Sequence, residues 1–335
     1  MPGTLQPQQP NGDAPQRRGV YLLTHPRSAS NLFQTMMAKQ PGYQNSGYKL
    51  FDAGFTTLLQ LDKGKLNEWS EEEQEKLYDS FRVAFGKLED ELDDCAKNGK
   101  QAFVKEHTIF LSAPDKIFQS IYPDDTPPSL TVHQRNVPQN GDGDTVRHTN
   151  PTSVPDNLLL SLQPIFQIRH PMLMFPSMLR AQRDWKPDAR PRSLYCRATL
   201  TLKHSRALYD WYAKYGAKAG ITPRVIDADD IMNNPAAVRQ LCEQTGLSAD
   251  DVQYEWEERK VEDPLMARFL STINASKGIK PGLGAKGKTL EAEKKKWVEE
   301  WGEEDAEDMA RFVSEALPDY EYLHSRRTVG EGVEV

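Results

Sequence analysis

The chain has 335 residues, 38% of them apolar and 9% aromatic, enough to bury one large core, so disorder as the main state is excluded. Its 42 basic and 49 acidic residues give a net charge of −7, which excludes a general electrostatic footprint for duplex nucleic acid; any anion site has to be a local cluster. Cys95, Cys196 and Cys242 lack metal-ligand spacing and no apolar run is long enough to span a bilayer, so a cytoplasmic, metal-free protein with packed thiols is expected.

Residues 1–18, rich in Pro, Gln and Gly, read as a disordered tail. "VYLLTHPRSASNLFQTMMAKQ", Val20 to Gln40, opens as a buried strand, breaks into a polar loop at Thr24–Ser30 and resumes as a helix from Asn31. In "LNEWSEEEQEKLYDSFRVAFGKLEDELDDCAKNG", Ser70 and Glu73 form a capping box. Leu77, Phe81, Phe85, Leu88 and Leu92 share one helical face, and Gly99 ends the helix. "QAFVKEH" is a short buried strand delivering Lys105, Glu106 and His107 to its C-terminal edge, with Glu106 facing opposite to its neighbours by alternation; "APDKIFQSIY" adds a helical turn or two.

Residues 123–156, Pro-, Asp-, Asn- and Gly-rich without period, read as a long loop insertion, either a lid or a disordered segment, with "NPTSVPDN" as the part expected to fold over a substrate. "PIFQIRHP" and "RVIDADD" are further strands, each followed by a helical pattern, and Gly246 closes "AAVRQLCEQTGL". "KGIKPGLGAKGK" is a basic, glycine-rich loop. The charged helical stretch after it turns Trp297 and Trp301 inward, and 324–335 read as a second tail. Strands alternating with helices imply an α/β fold: one large domain over 19–323, with a mostly parallel sheet flanked by helices.

In a parallel sheet, ligands gather at the C-terminal edges of the strands, where "THPRSASNL" stands. A nucleoside triphosphatase would need G-x-x-x-x-G-K-[ST]; this loop has no glycine, and Arg27 stands where the lysine would be. What survives is a guanidinium, two hydroxyls and an amide, able to hold a phosphate without a metal, or else an ordinary helix-capping turn. "FQIRHPMLMFPSML" places Arg169 at another strand end and Ser177 two helical turns on, where both can converge on a second phosphate. His25 and His170, beside the two loops, are candidates for added charge.

Together these segments resemble the P-loop sulfotransferase family, whose donor is 3′-phosphoadenosine 5′-phosphosulfate (PAPS), and within it the sulfotransferase-like proteins of filamentous fungi. The family's 5′-phosphosulfate loop, [T]-x-P-[KR]-S-G-[ST]-[ST], is matched by Thr24, Pro26, Arg27, Ser28, Ser30 and Asn31, with Ala29 in place of glycine. Its 3′-phosphate segment is matched by Arg169, Pro171 and Ser177, with a proline, Pro176, inside the helix. The resemblance implies that His107 deprotonates the acceptor hydroxyl and that Lys105 stabilises charge on the departing phosphate. It also implies that Lys277 and Gly278 belong to a basic flap over the nucleotide, although the family's Arg-Lys-Gly triplet is absent. The acceptor would be a small molecule, as in fungal secondary metabolism, bound among scattered apolar side chains such as Phe51, Phe55, Phe110, Tyr195 and Trp185. No nucleic acid, membrane or metal is expected, and a homodimer is compatible with the sequence. A non-catalytic nucleotide-binding protein on the same fold is the alternative.

Overall fold

A computed structural model describes residues 17–130, 132–135, 148–184, 186–258, 270–280 and 282–330. The parts of the predicted tails at 1–16 and 331–335, the middle of the predicted insertion and Trp185 lie outside the described residues.

Five parallel strands form one sheet in the order β2-β3-β1-β4-β5: β1 Gly19–Thr24, β2 Tyr43–Ser46, β3 Gln101–His107, β4 Leu162–Ile168 and β5 Arg224–Asp227. The α/β expectation holds. β1 and β4 are buried at every position, as strands covered on both faces must be. Alternation splits the side chains of β1 and β3: Tyr21, Leu23, Ala102 and Val104 enter a large core on one face, while Val20, Leu22 and Phe103 enter a smaller core on the other.

The helices follow in chain order as α1 Ser30–Met36, α2 Phe51–Leu59, α3 Glu71–Lys97, α4 Thr108–Leu111, α5 Pro114–Ile121, α6 Asp156–Leu159 and α7 Pro171–Arg183. They continue as α8 Leu194–Thr199, α9 Lys203–Tyr215, α10 Ala228–Asn233, α11 Pro235–Thr245, α12 Ser271–Asn274, α13 Leu290–Trp301 and α14 Glu303–His324. α3 starts as its capping box requires, with the Ser70 hydroxyl accepting from Glu73 N at 3.3 Å and donating to the Glu73 carboxylate at 3.0 Å. α7 runs on through Pro176. Trp297 is buried and stacks on Trp301, ring centroids 6.2 Å apart. Among the described residues no helix is long and apolar enough to cross a membrane.

Three expectations change. Asn150–Asp156 is a buried plug and not a lid: the Asp156 carboxylate accepts from Thr149 N at 2.9 Å and Asn150 Nδ2 at 2.7 Å, and Ser153 N donates to Leu111 O at 2.6 Å. Asn and Asp bonding to their own backbone give this stretch a fixed shape without periodicity. Arg18, placed in the first tail, is fastened by Arg18 N to Ser161 O at 2.7 Å and by an ion pair with Asp93 at 2.6 Å. In the second expected tail, His324 ends α14, and the chain then pairs with the outer strand: Arg327 bridges Val225, and Thr328 N donates to Val225 O at 2.8 Å.

Candidate active site

Register brings the chemistry to one edge. Thr24, the last residue of β1, lies beside His107 of β3 on one side and Gln167 of β4 on the other, and Ile168 lies beside Asp227 of β5. The loop leaving β1 takes two left-handed residues, Arg27 at φ 68° and Ala29 at φ 64°. Such angles are costly for side-chain-bearing residues and need support from outside. β4 and its end supply it: Gln167 Nε2 donates to Ser28 O at 2.6 Å and Arg169 Nη1 to Arg27 O at 3.0 Å.

Arg27 Nε donates to the Ser177 hydroxyl at 3.0 Å. Arg27, Arg169 and Ser177 are thus linked in one hydrogen-bonded cluster, which brings the two expected phosphate holders side by side. The Ser28 hydroxyl and Arg169 Nε are buried with no hydrogen-bond partner among the described residues, and buried donors left so are costly unless a ligand meets them. These donors fit an anionic phosphate ester. Ser30 and Asn31 open α1 and line the same cavity.

His107 is buried, with Nδ1 2.6 Å from the Thr24 hydroxyl and Nε2 2.9 Å from the Tyr48 hydroxyl. Burial first, then the positive charges of Lys105, His25 and Arg27, hold it well below the ordinary imidazole value, so the ring is neutral near pH 7. Lys105 does not border the cavity. Its ammonium sits behind it, bonded to the Asn31 side-chain oxygen and 4.5 Å from the Tyr48 ring centre, and burial brings it down to about 7. Glu106 faces the other way, as alternation requires, and its carboxylate accepts from Lys49 N and, at 2.8 Å, from Leu50 N; burial pushes it up to about 8. Burial works against the added charge expected of His25 and His170. Burial lowers both; His25 is held between the Pro26 and Thr199 carbonyls, and His170 caps α7 by accepting from Met172 N at 3.2 Å.

The basic glycine-rich loop crosses the mouth of the site. Leu283 O accepts from Arg169 Nη2 at 3.0 Å, and Ala285 N donates to the Asp229 carboxylate at 2.6 Å. A Cβ on Gly284 would come 2.9 Å from that carboxylate, so only glycine fits there unless Asp229 shifts. Gly278 lines the cavity, but Lys277 is exposed and does not; Lys280 and Lys288 line it instead. Lys280 and Lys288, and not Lys277, thus bring the positive charge of this loop to the cavity.

Arg27, Ser30, Asn31, His107, Arg169, Ser177, Lys280 and Lys288 all line one cavity of about 470 Å³. Its far wall is aromatic: Phe51 stacks on Phe55 at 5.5 Å and meets Phe110 edge-on at 4.9 Å, and Tyr195 meets Phe55 at 6.3 Å. The wall depends on a close approach, since a Cβ on Gly54 would lie 2.5 Å from Phe110 Cα. Trp256 and Tyr48 also line the cavity, and neither was legible in the sequence. Tyr48 follows β2, a four-residue polar strand with no apolar alternation; only the parallel pairing of β2 with β3 shows that Tyr48 must leave the sheet at the same edge as His107. Among the described residues no group of three or more His, Cys, Asp or Glu side chains could hold a metal ion.

No family model matches the chain. Among characterised proteins it is similar to Sulfotransferase ppzF of Metarhizium majus (strain ARSEF 297), 29% identical over 333 residues, covering 92% of this chain and 96% of that protein. It is equally similar to Sulfotransferase ppzF of Metarhizium rileyi (strain RCEF 4871), 29% identical over 328 residues, covering 92% and 95%. Of solved structures, the sulfotransferase domain of the Synechococcus PCC 7002 olefin synthase aligns at TM-score 0.42 and 16% identity, over 92% of this chain and 98% of that one. The sulfotransferase domain from the curacin biosynthetic pathway aligns at TM-score 0.41 and 12% identity, over 85% and 98%. Over nearly the whole of each chain, then, this protein is similar to two fungal sulfotransferases.

Proposed function

We propose that the protein transfers a sulfuryl group from PAPS to the hydroxyl of a small-molecule acceptor. The observation that carries this reading is a single cavity with an anion-holding end, formed by Arg27, Arg169, Ser177 and Lys288, and an aromatic end, with a neutral, buried imidazole between them. When bound, PAPS would supply the activated sulfuryl group. Arg27, Ser28, Ser30 and Asn31 would hold its phosphosulfate, and Arg169 and Ser177 its 3′-phosphate, by charge-assisted hydrogen bonds. Lys105 would act through Asn31 and Tyr48 and not by direct contact. His107 would accept the proton as the acceptor oxygen attacks, and the aromatic wall would keep bulk water from competing.

The test is calorimetry with 3′,5′-ADP, 5′-AMP and ATP in EDTA, followed by product analysis with PAPS and a panel of phenols and alcohols. Preference for 3′,5′-ADP together with sulfated product is the expected result. Tight binding without product would identify a nucleotide-binding protein that does not turn over, and equal affinity for all three nucleotides would remove PAPS as the donor.

A further inference from the structure

In this arrangement the assigned base has no free lone pair. The Thr24 hydroxyl donates to the Glu106 carbonyl at 3.2 Å, so it meets His107 Nδ1, 2.6 Å away, as an acceptor. That puts the ring proton on Nδ1 and leaves Nε2 as the basic nitrogen. Nε2 is 2.9 Å from the Tyr48 hydroxyl, which therefore donates to it. Tyr48, which lines the cavity beside His107, therefore occupies the lone pair through which the base would act.

The Tyr48 side chain is held on every side. Its ring lies 4.9 Å from the His107 ring and 5.4 Å from that of Phe51, with the Lys105 ammonium 4.5 Å over its face. The two residues after it are tied through their backbone N–H groups to the Glu106 carboxylate, and the Ser30 hydroxyl bonds to its oxygen. Burial pushes the phenol well above its ordinary value, so it stays a neutral donor.

We propose that Tyr48 relays the acceptor's proton to His107. As the acceptor oxygen forms its bond to sulfur, its proton passes to the Tyr48 oxygen while the Tyr48 proton passes to His107 Nε2. The bond from sulfur to the bridging phosphate oxygen breaks, and its electron pair leaves with 3′,5′-ADP. Tyr48 ends as it began and the imidazole ends as imidazolium, so the phenolate never accumulates. This deepens the reading of a hydroxyl acceptor with His107 as base, and rests on it.

The experiment compares Tyr48→Phe and His107→Asn with wild type in single-turnover assays across phenols of graded acidity, with 3′,5′-ADP affinity as the check on folding. A relay predicts that Y48F loses about 10²–10³-fold in rate with weakly acidic acceptors while nucleotide affinity stays within about threefold. The loss should shrink below about tenfold with a nitrophenol that is already ionised, in parallel with H107N. In wild-type protein, the rate should bow downward with deuterium fraction, as two protons moving together require. A Y48F defect equal for all acceptors, or a linear deuterium dependence, would overturn the relay. If H107N is impaired with weak acids and Y48F is not, Nε2 takes the proton directly and only the relay fails. If wild type forms no product with any acceptor, the sulfotransfer reading fails and the relay with it.

Discussion

Replacing Glu106 by Gln tests the buried support beneath the catalytic strand end. The side chain is fully buried, and one oxygen accepts from the backbone of Lys49 and Leu50 while the other has no partner among the described residues. A glutamine keeps the accepting oxygen and loses only the titration. Burial raises the carboxyl from the ordinary 4.5 to about 8, so the folded state keeps a proton that the unfolded chain releases. The sign follows: the stabilising contribution is complete below 4.5 and is lost as pH rises toward about 8. In that window wild type should lose about 1.4 kcal/mol per pH unit relative to E106Q. Urea unfolding of both proteins at matched ionic strength should give similar stability near about pH 5 and an advantage for E106Q approaching about 4 kcal/mol near about pH 8. Comparing the two proteins cancels the buried histidines, whereas Lys105, which the Glu106 charge raises, titrates lower in E106Q. A difference constant across the range would mean that Glu106 is already ionised in the folded state, paired with Lys105, and would refute the reasoning.

Arg27→Ala or Arg169→Ala should each weaken 3′,5′-ADP binding by about 2–5 kcal/mol by calorimetry, the range for a charge-assisted contact removed from a partly buried site; a smaller loss would take that arginine out of the nucleotide site. Ala29→Gly relieves a left-handed alanine at φ 64° and should leave the melting temperature unchanged or raise stability by up to about 1 kcal/mol; a clear fall would mean that the methyl group is packed to advantage. Gly54→Ala forces α2 from Phe110 and should cost about 1–3 kcal/mol in stability while weakening acceptor binding more than nucleotide binding, a split read by paired titrations. Turnover should fall on acidification only well below 6.5, because His107 is held below that value by burial and by Lys105, His25 and Arg27; an acid limb centred at 6.5 would mean that the base is solvated.

The sheet was largely legible because β1, β3, β4 and β5 are short, mostly apolar runs that end in polar or charged residues at one edge. Arg27, Arg169 and His107 could be assigned to that edge before any coordinates. β2 could not, since Tyr43–Ser46 carries no apolar pattern of its own and is defined by hydrogen bonds to β3; Tyr48 was lost with it. The basic loop was recognisable by composition, but its path is set by Asp229 and Arg169, more than 50 residues away, which bring in Lys280 and Lys288 and leave Lys277 outside. Asn150–Asp156 was misread because loop-forming residues also build compact hydrogen-bonded plugs, and which of the two results depends on Leu111 and Trp211, contacts that local sequence does not encode.

The bridge between Arg327 and β5 bears on how the protein is made. β1 is made before the other strands yet lies in the middle of the sheet, waiting for β3 and β4, and the outer edge of β5 is closed at Val225 by Thr328. At roughly 5–20 residues per second, about a hundred residues of further synthesis leave that edge without its final cover for about 5–20 s. An uncovered strand edge is a template for pairing with another chain. Nascent copies should therefore be most vulnerable to aggregation in this interval, and slower synthesis would lengthen it.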